Sequence, residues 1–155
     1  MALALFLKKD VSLRQIITEM KKIALILVAI GTLFMSSCQN PAKSRSYMDE
    51  GDKLMMRYSN FEGAEEAYTK AIKYDKANYE AYYMRGCAKT NSRKYDEALL
   101  DFQKAIDLKP DYADAYFSAG RTCFYINDYE MMCYYYKLAQ QYGRENLEDL
   151  LRSCN

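Results

Sequence analysis

Gly86 and Gly120 lie 34 residues apart, and the chain around them says nearly the same thing twice: YYMRGCAKTNSRKYDEALLDFQKAIDLKPD, then YFSAGRTCFYINDYEMMCYYYKLAQQYG. A fixed period of this size marks a supersecondary unit that cannot bury its apolar face alone and stacks on its copies. Within the unit Ala98, Phe102 and Ala105 stand at i, i+4 and i+7, which is one face of a helix. Asn91-Ser92-Arg93-Lys94 interrupts that periodicity and reads as a turn between two helices. Pro110 ends the second helix, because the residue before a proline is turned away from the α conformation. Gly86 has no side chain and lets the second helix approach the first; Ala98 and Ala105 do the same from the other side, and Phe102 fills the space between.

The period, with Tyr82, Gly86, Ala98, Phe102, Ala105 and Pro110 at their spacings, resembles the tetratricopeptide repeat. The same positions are kept before and after it. A first repeat over 46–78 has Gly51, Phe61, Ala64, Tyr68 and Ala71, with one extra residue between Gly51 and Phe61 that predicts an insertion near Tyr58-Ser59-Asn60, and with Lys76 in place of the proline. A third over 113–146 has Tyr116, Gly120, Tyr129, Tyr136 and Ala139, with Met132 for an alanine and Arg144 for the proline. Methionine is the side chain best able to adapt to that exchange. Leu147, Leu150 and Leu151 at helical spacing predict a short cap over the last apolar face, within 147–155. The resemblance implies an all-α fold, an α-solenoid of three helix-turn-helix repeats (46–78, 79–112 and 113–146) with a short C-terminal capping helix.

The N-terminus is a separate object. Lys21-Lys22 precede the apolar run Ile23–Met35, which ends in Ser36-Ser37-Cys38. A run of 13 residues is short of the roughly 20 that span a bilayer and fits the roughly 7–15 of a signal-peptide core. The order basic, apolar, small, Cys resembles a bacterial lipoprotein signal, although Met35 stands where that family usually has Leu. The resemblance implies cleavage before Cys38 and its acylation, with several chains together giving stable anchoring. An ordinary secretory peptide cleaved nearby and a buried hairpin helix are the alternatives. Residues 1–37 are set apart from the mature fold, with Met20 as the expected true start, and 38–45, which opens the polar stretch QNPAKSRS after Cys38, reads as a tether in which Pro41 blocks helix continuation.

In tetratricopeptide repeats the inner surface is lined mainly by the first helix of each repeat, so the resemblance carries a partner-binding groove onto particular positions. These are Met48, Asp52, Met55 and Met56 in the first repeat and Glu80, Tyr83, Cys87, Thr90 and Asn91 in the second. The third contributes Asp114, Phe117, Arg121, Phe124 and Tyr125. Large rigid rings and adaptable methionines are the chemistry of peptide capture. Tyr82, Phe102, Tyr116 and Tyr136 are core by family position. The family's clamp for a C-terminal carboxylate uses Lys with Asn or Arg along this groove; Arg121 is the one cation among these positions, so that clamp is not expected.

Composition narrows the function. The chain has no His, which removes the commonest general base and the commonest neutral metal ligand. Residues 1–37 hold five of the 22 Lys/Arg and two of the 21 Asp/Glu, so 38–155 is about neutral and lacks the basic footprint of nucleic-acid binding. Glu65-Glu66 and Asp96-Glu97 read as solvated helix faces, the second pair favoured by a helix start. Cys87, Cys123, Cys133 and Cys154 form no C-x-x-C pair. An oxidising envelope would allow disulfides, Cys123 and Cys133 falling on the two helices of one repeat, but free, partly buried thiols are the reading preferred from sequence. The expectation is a non-enzymatic adaptor at the bacterial cell envelope, lipid-anchored in the outer membrane and binding a protein or peptide, with no nucleic acid, metal or cofactor. The alternative is a self-associating scaffold stacking through its end repeats.

Overall fold

The computed structural model describes residues 17–23 and 39–154 of a chain that divides into two compact units, Met1–Gln39 and Asn40–Asn155. In the first unit residues 17–23 are helical and exposed, with Glu19 and Lys22 paired at 2.8 Å. The rest of the signal-like run and Cys38 lie outside the described residues. No described helix is long and apolar enough to cross a membrane.

The second unit is helical throughout its described residues. Helix α1 (Pro41–Tyr58) pairs with α2 (Phe61–Tyr74), α3 (Tyr79–Asn91) with α4 (Tyr95–Leu108), and α5 (Ala113–Tyr125) with α6 (Tyr129–Gln141). Successive pairs stack through α2 on α3 and α4 on α5, and the short α7 (Glu148–Arg152) lies against α6. This is an all-α solenoid of three helix-turn-helix repeats with a C-terminal capping helix. The buried core clusters found among the described residues are all internal to Asn40–Asn155, so this unit carries a core of its own, as a domain able to fold alone does.

Local chemistry sets the helix ends. Asn40, Asn60, Asn78 and Asp128 each accept an N–H of the first turn through a side-chain oxygen, at 3.0–3.1 Å. The turns inside repeats two and three both pass through a left-handed residue at the same repeat position, Arg93 (φ 61) and Asn127 (φ 60). Helix α4 stops at Leu108, before Pro110, yet α2 stops at the corresponding Tyr74 without a proline, its end fixed by extended Asp75.

Packing inside each repeat turns on one glycine. A Cβ built on Gly51, Gly86 or Gly120 would stand 2.5 Å, 2.7 Å and 2.7 Å from the ring of Tyr68, Phe102 and Tyr136 respectively, so each ring lies flat against bare backbone. Ala64, Ala71, Ala98 and Ala105 are fully buried beside these rings. Met132, in the alanine position of repeat three, is buried as well. Repeat two adds an ionic lock between its helices: Arg85 donates to both oxygens of Asp101 at 2.8 and 2.6 Å, and Lys89 reaches Asp101 at 3.0 Å and Glu97 at 3.4 Å. Arg85 also donates to Thr69 at 3.2 Å, tying the lock to repeat one.

Several expectations are corrected. The 38–45 tether is shorter, because Pro41 opens α1 instead of blocking it: a missing N–H costs nothing at the first helical position, and Asn40 caps the turn. Ser44, within the supposed tether, is buried and accepts from Asn78 at 3.3 Å. The extra residue of repeat one does not lengthen its turn. It lengthens α1, and the chain reverses through left-handed Ser59 (φ 48) and Asn60 alone. Tyr82 is core only in part: it packs against the cluster around Ala105 and Ala115 but is half-buried, its ring 5.6 Å from the Arg85 guanidinium. In the cap Leu147 is buried and Leu151 packs inward, but Leu150 remains 41% exposed. Cys133 and Cys154 are joined in a disulfide across a 21-residue separation, because the capping turn folds back over α6; Cys87 and Cys123 stay free.

The ionic lock and the glycine contacts have separable costs. Asp101→Ala leaves two cations facing each other without their anion and should destabilise the fold by about 3–5 kcal/mol; Gly86→Ala, which drives a methyl into Phe102, should cost about 1–3 kcal/mol. Urea unfolding followed by circular dichroism measures both.

Candidate functional site

The first helices α1, α3 and α5 carry the groove positions, and the structure sorts them into three groups. Met48, Asp52 and Glu80 come together in one cavity of about 450 Å³ between α1 and the start of α3. Sequence reasoning missed the residues that complete it: Arg45 and Asp49 on α1, and Asp75 and Asn78 from the turn between repeats. A one-turn spacing joins Arg45, Met48, Asp49 and Asp52 on one face, a signal present in the sequence. Four carboxylates thus face one guanidinium. Asp52 is partly committed, accepting from the Tyr68 hydroxyl at 2.7 Å, while Glu80 is exposed. Met55 fills the gap between two core clusters, and Met56 is 78% exposed and lines no part of the cavity.

Tyr83, Cys87 and Arg121 form the second group, at the centre of the solenoid. Tyr83 lies edge-on to Tyr112 with centroids 5.1 Å apart. Burial pushes its hydroxyl up to about 12, and neighbouring Cys87 and Asp114 add to this. The Cys87 thiol is also raised, chiefly by burial, with the Tyr83 hydrogen bond and the Arg121 charge working the other way. Arg121 is half-buried, and its Nε is buried without a hydrogen-bond partner among the described residues. Asp114 and Phe117 stand next to this group but are already engaged. Arg144, from the segment after α6, pairs with Asp114 and lies 4.5 Å over the Phe117 ring, whose other neighbour is Tyr136 at 5.5 Å.

The remaining candidates do other work. Thr90 is buried, donating to the Gly86 carbonyl at 3.0 Å and sharing a 3.1 Å bond with Thr122, so it joins α3 to α5 and offers nothing to a ligand. Asn91 donates to the Cys87 carbonyl at 2.8 Å. Phe124 and Tyr125, each about half exposed, sit at the far end of α5, where Phe124 borders a different cleft and Tyr125 stacks on Tyr95 at 5.6 Å. No cluster of three or more His, Cys, Asp or Glu with metal-binding geometry occurs among the described residues.

Comparison with known proteins places this geometry. Residues 79–112 match the family model described as "Tetratricopeptide repeat". The first repeat domain of Spaghetti (RPAP3), solved bound to the HSP90 peptide SRMEEVD, superposes with a TM-score of 0.70 at 23% identity, covering 75% of this chain and 93% of that one. The TPR2B domain of yeast Sti1, solved in a pHsp70 complex, gives a TM-score of 0.66 at 22% identity over 72% of this chain and 92% of that one. The chain thus carries a tetratricopeptide-repeat match at 79–112 and shares the fold of solved tetratricopeptide-repeat domains. In sequence it is similar to the protein SGT1 homolog of Oryza sativa subsp. japonica, 32% identical over 98 residues that make up 62% of this chain and 27% of that protein. The human DnaJ homolog subfamily C member 7 is 29% identical over 98 residues, 61% of this chain and 20% of that protein. The chain therefore spans about a quarter of the curated relatives it matches.

The buried tyrosines give the unit an alkaline limit. Tyr83 is raised to about 12, and Tyr68 and Tyr112 are raised as well, all three chiefly by burial. Between the ordinary tyrosine value of 10.0 and these raised values the unfolded chain loses protons that the folded chain keeps, so stability falls as pH rises. The urea midpoint should hold steady up to about pH 9 and drop by about pH 11, the decline being shallower in Tyr83→Phe.

Proposed function

We propose that this protein is a non-enzymatic adaptor that captures a peptide or protein segment along α1, α3 and α5, lipid-anchored through Cys38 at the bacterial cell envelope on the outer membrane. The observation that carries the binding reading is the cavity between α1 and α3, a concave site on the helices that bear the groove positions. The structural neighbours support it: two of the similar solved repeat domains hold short peptides, SRMEEVD and SGPTIEEVD. Those peptides end in acidic residues, whereas here Asp49, Asp52, Asp75 and Glu80 outnumber Arg45 around the cavity. Such a field repels an acidic tail and favours a cationic segment. Toward α5 the Nε–H of Arg121, without a partner among the described residues, suits a carbonyl or carboxylate acceptor. The ligand this arrangement fits is a segment with Lys or Arg at the α1–α3 end and an acceptor near α5.

Fluorescence polarisation on residues 39–155 tests the binding polarity with labelled peptides of equal length. A Lys/Arg-rich peptide should bind and weaken as salt rises, and an acidic one should not. Glu80→Lys should weaken the cationic peptide by about 3- to 10-fold without changing helix content. Preference for the acidic peptide, or no response to Glu80→Lys, overturns the assignment.

The anchoring half of the proposal rests on the Lys21-Lys22, apolar run and Ser36-Ser37-Cys38 order, and it is supported by the Cys133–Cys154 disulfide, which suits an oxidising compartment. Intact-mass analysis of the mature protein from envelope membranes should give a chain beginning at Cys38 and carrying acyl groups. An unmodified N-terminus removes this half and leaves the groove untouched.

A further inference from the structure

The two ends of the solenoid differ in chemistry, and that difference defines a second surface. At the first repeat the stacked rings of Tyr47 and Tyr74 are covered by cations, Lys43 at 4.5 Å and Lys70 at 5.7 Å. At the third repeat apolar side chains stand exposed. Phe124, Tyr125, Ile126, Tyr129 and Leu150 are 50, 48, 37, 54 and 41% exposed, and Phe124 touches Tyr125 and Tyr129 edge-on at 6.1 and 6.2 Å. Phe124 and Tyr129 rim a cleft of about 300 Å³ floored by Met132 and Tyr136 and walled by Leu150 and Ser153 of the cap segment. The Cys133–Cys154 bond holds that wall to α6.

The repeat period identifies what this surface is. Thr90 and Tyr95 of repeat two occupy the positions of Phe124 and Tyr129 one period later. Thr90 is buried by α5 through Thr122, and the Tyr95 ring is covered by the Tyr125 ring. The bare face is therefore the continuation of the interface on which each repeat receives its successor, and α7, only five residues long, fills part of it. It presents both projecting rings and a receiving cleft, so it is complementary to itself under a two-fold axis. Head-to-tail stacking is disfavoured, because the opposite end covers its stacked rings with Lys43 and Lys70 and its α1 carries seven charged side chains among 18 residues. Five half-exposed apolar side chains amount to about 400–500 Å² per copy, so a pair buries about 1,000 Å², at the lower edge of specific interfaces.

We propose that the C-terminal face is an isologous interface that pairs two copies of this chain, the Phe124 ring of each entering the cleft of the other. The pairing leaves the α1–α3 cavity open on both copies and is independent of the peptide reading.

Sedimentation equilibrium on disulfide-intact residues 39–155 tests it. The expected result is a reversible dimer with a dissociation constant of about 1–100 µM. Phe124→Asp and Tyr129→Asp, each at an exposed side chain, should raise that constant at least about 10-fold with circular dichroism unchanged. Met56→Asp, exposed on α1, should not move it. A monomer at about 500 µM overturns the proposal and leaves the face to a different partner. An open-ended series of oligomers overturns it too, since that needs a head-to-tail contact, as does a dimer weakened by Met56→Asp and not by Phe124→Asp.

Discussion

The whole unit depends on rings resting against bare glycine. Where Tyr68, Phe102 and Tyr136 lie within 3 Å of the place a Cβ would take, the two helices of a repeat have one closest approach, and that fixes their register. Buried alanines on both sides keep the approach close over the neighbouring turns. With the pair set, the outer sides of its helices become the surface for the next pair, and the same contact recurs one period later. Stability is then mostly a matter of nearest neighbours. The ionic lock of Arg85, Lys89 and Asp101 belongs to the middle repeat alone, the one covered on both sides, where an ion pair is most shielded from water.

The same logic explains what the sequence could and could not convey. Gly86, Ala98, Phe102 and Ala105 are legible because a repeated contact leaves a repeated pattern, and helix identity, repeat number and most of the core followed from it. Pro41 is ambiguous in sequence because proline has opposite meanings at the first turn and inside a helix, and the Asn40 cap decides between them. Tyr82 packs on the core as its position implies, yet stays half-buried, because the Arg85 guanidinium beside it remains partly solvated. The Cys133–Cys154 bond joins a repeat helix to a cap that has no counterpart in the period, so no spacing announces it. Arg144 was noted for replacing proline, but that its cation covers Phe117 and Asp114 is a tertiary fact.

The candidate groove residues stand one residue away from the constraint. Asp52, Cys87 and Arg121 each follow a packing glycine directly, so the backbone delivers them to equivalent places on the three first helices. The fold holds the frame constant there and leaves the side chain free to differ. Along the solenoid the row runs from carboxylate to buried thiol to guanidinium. Neighbours extend its acidic end, with Asp49, Asp75 and Glu80 at the same cavity as Asp52.

That row also explains why a shared fold says little about a shared ligand. The peptide-bound neighbours superpose well, yet at 22–23% identity the superposition reports the helical fold, not the side chains that line it. Reversing the charge on one exposed position of a first helix leaves every glycine contact intact, so ligand polarity can change while the scaffold does not. A surface decoupled in this way from the core is free to differ between the two ends of the molecule. One end is sheathed in lysine and the other is left apolar around Phe124 and Tyr129. The repeat supplies identical frames, and the differences between them set which end can meet a copy of itself and which side can take a charged segment.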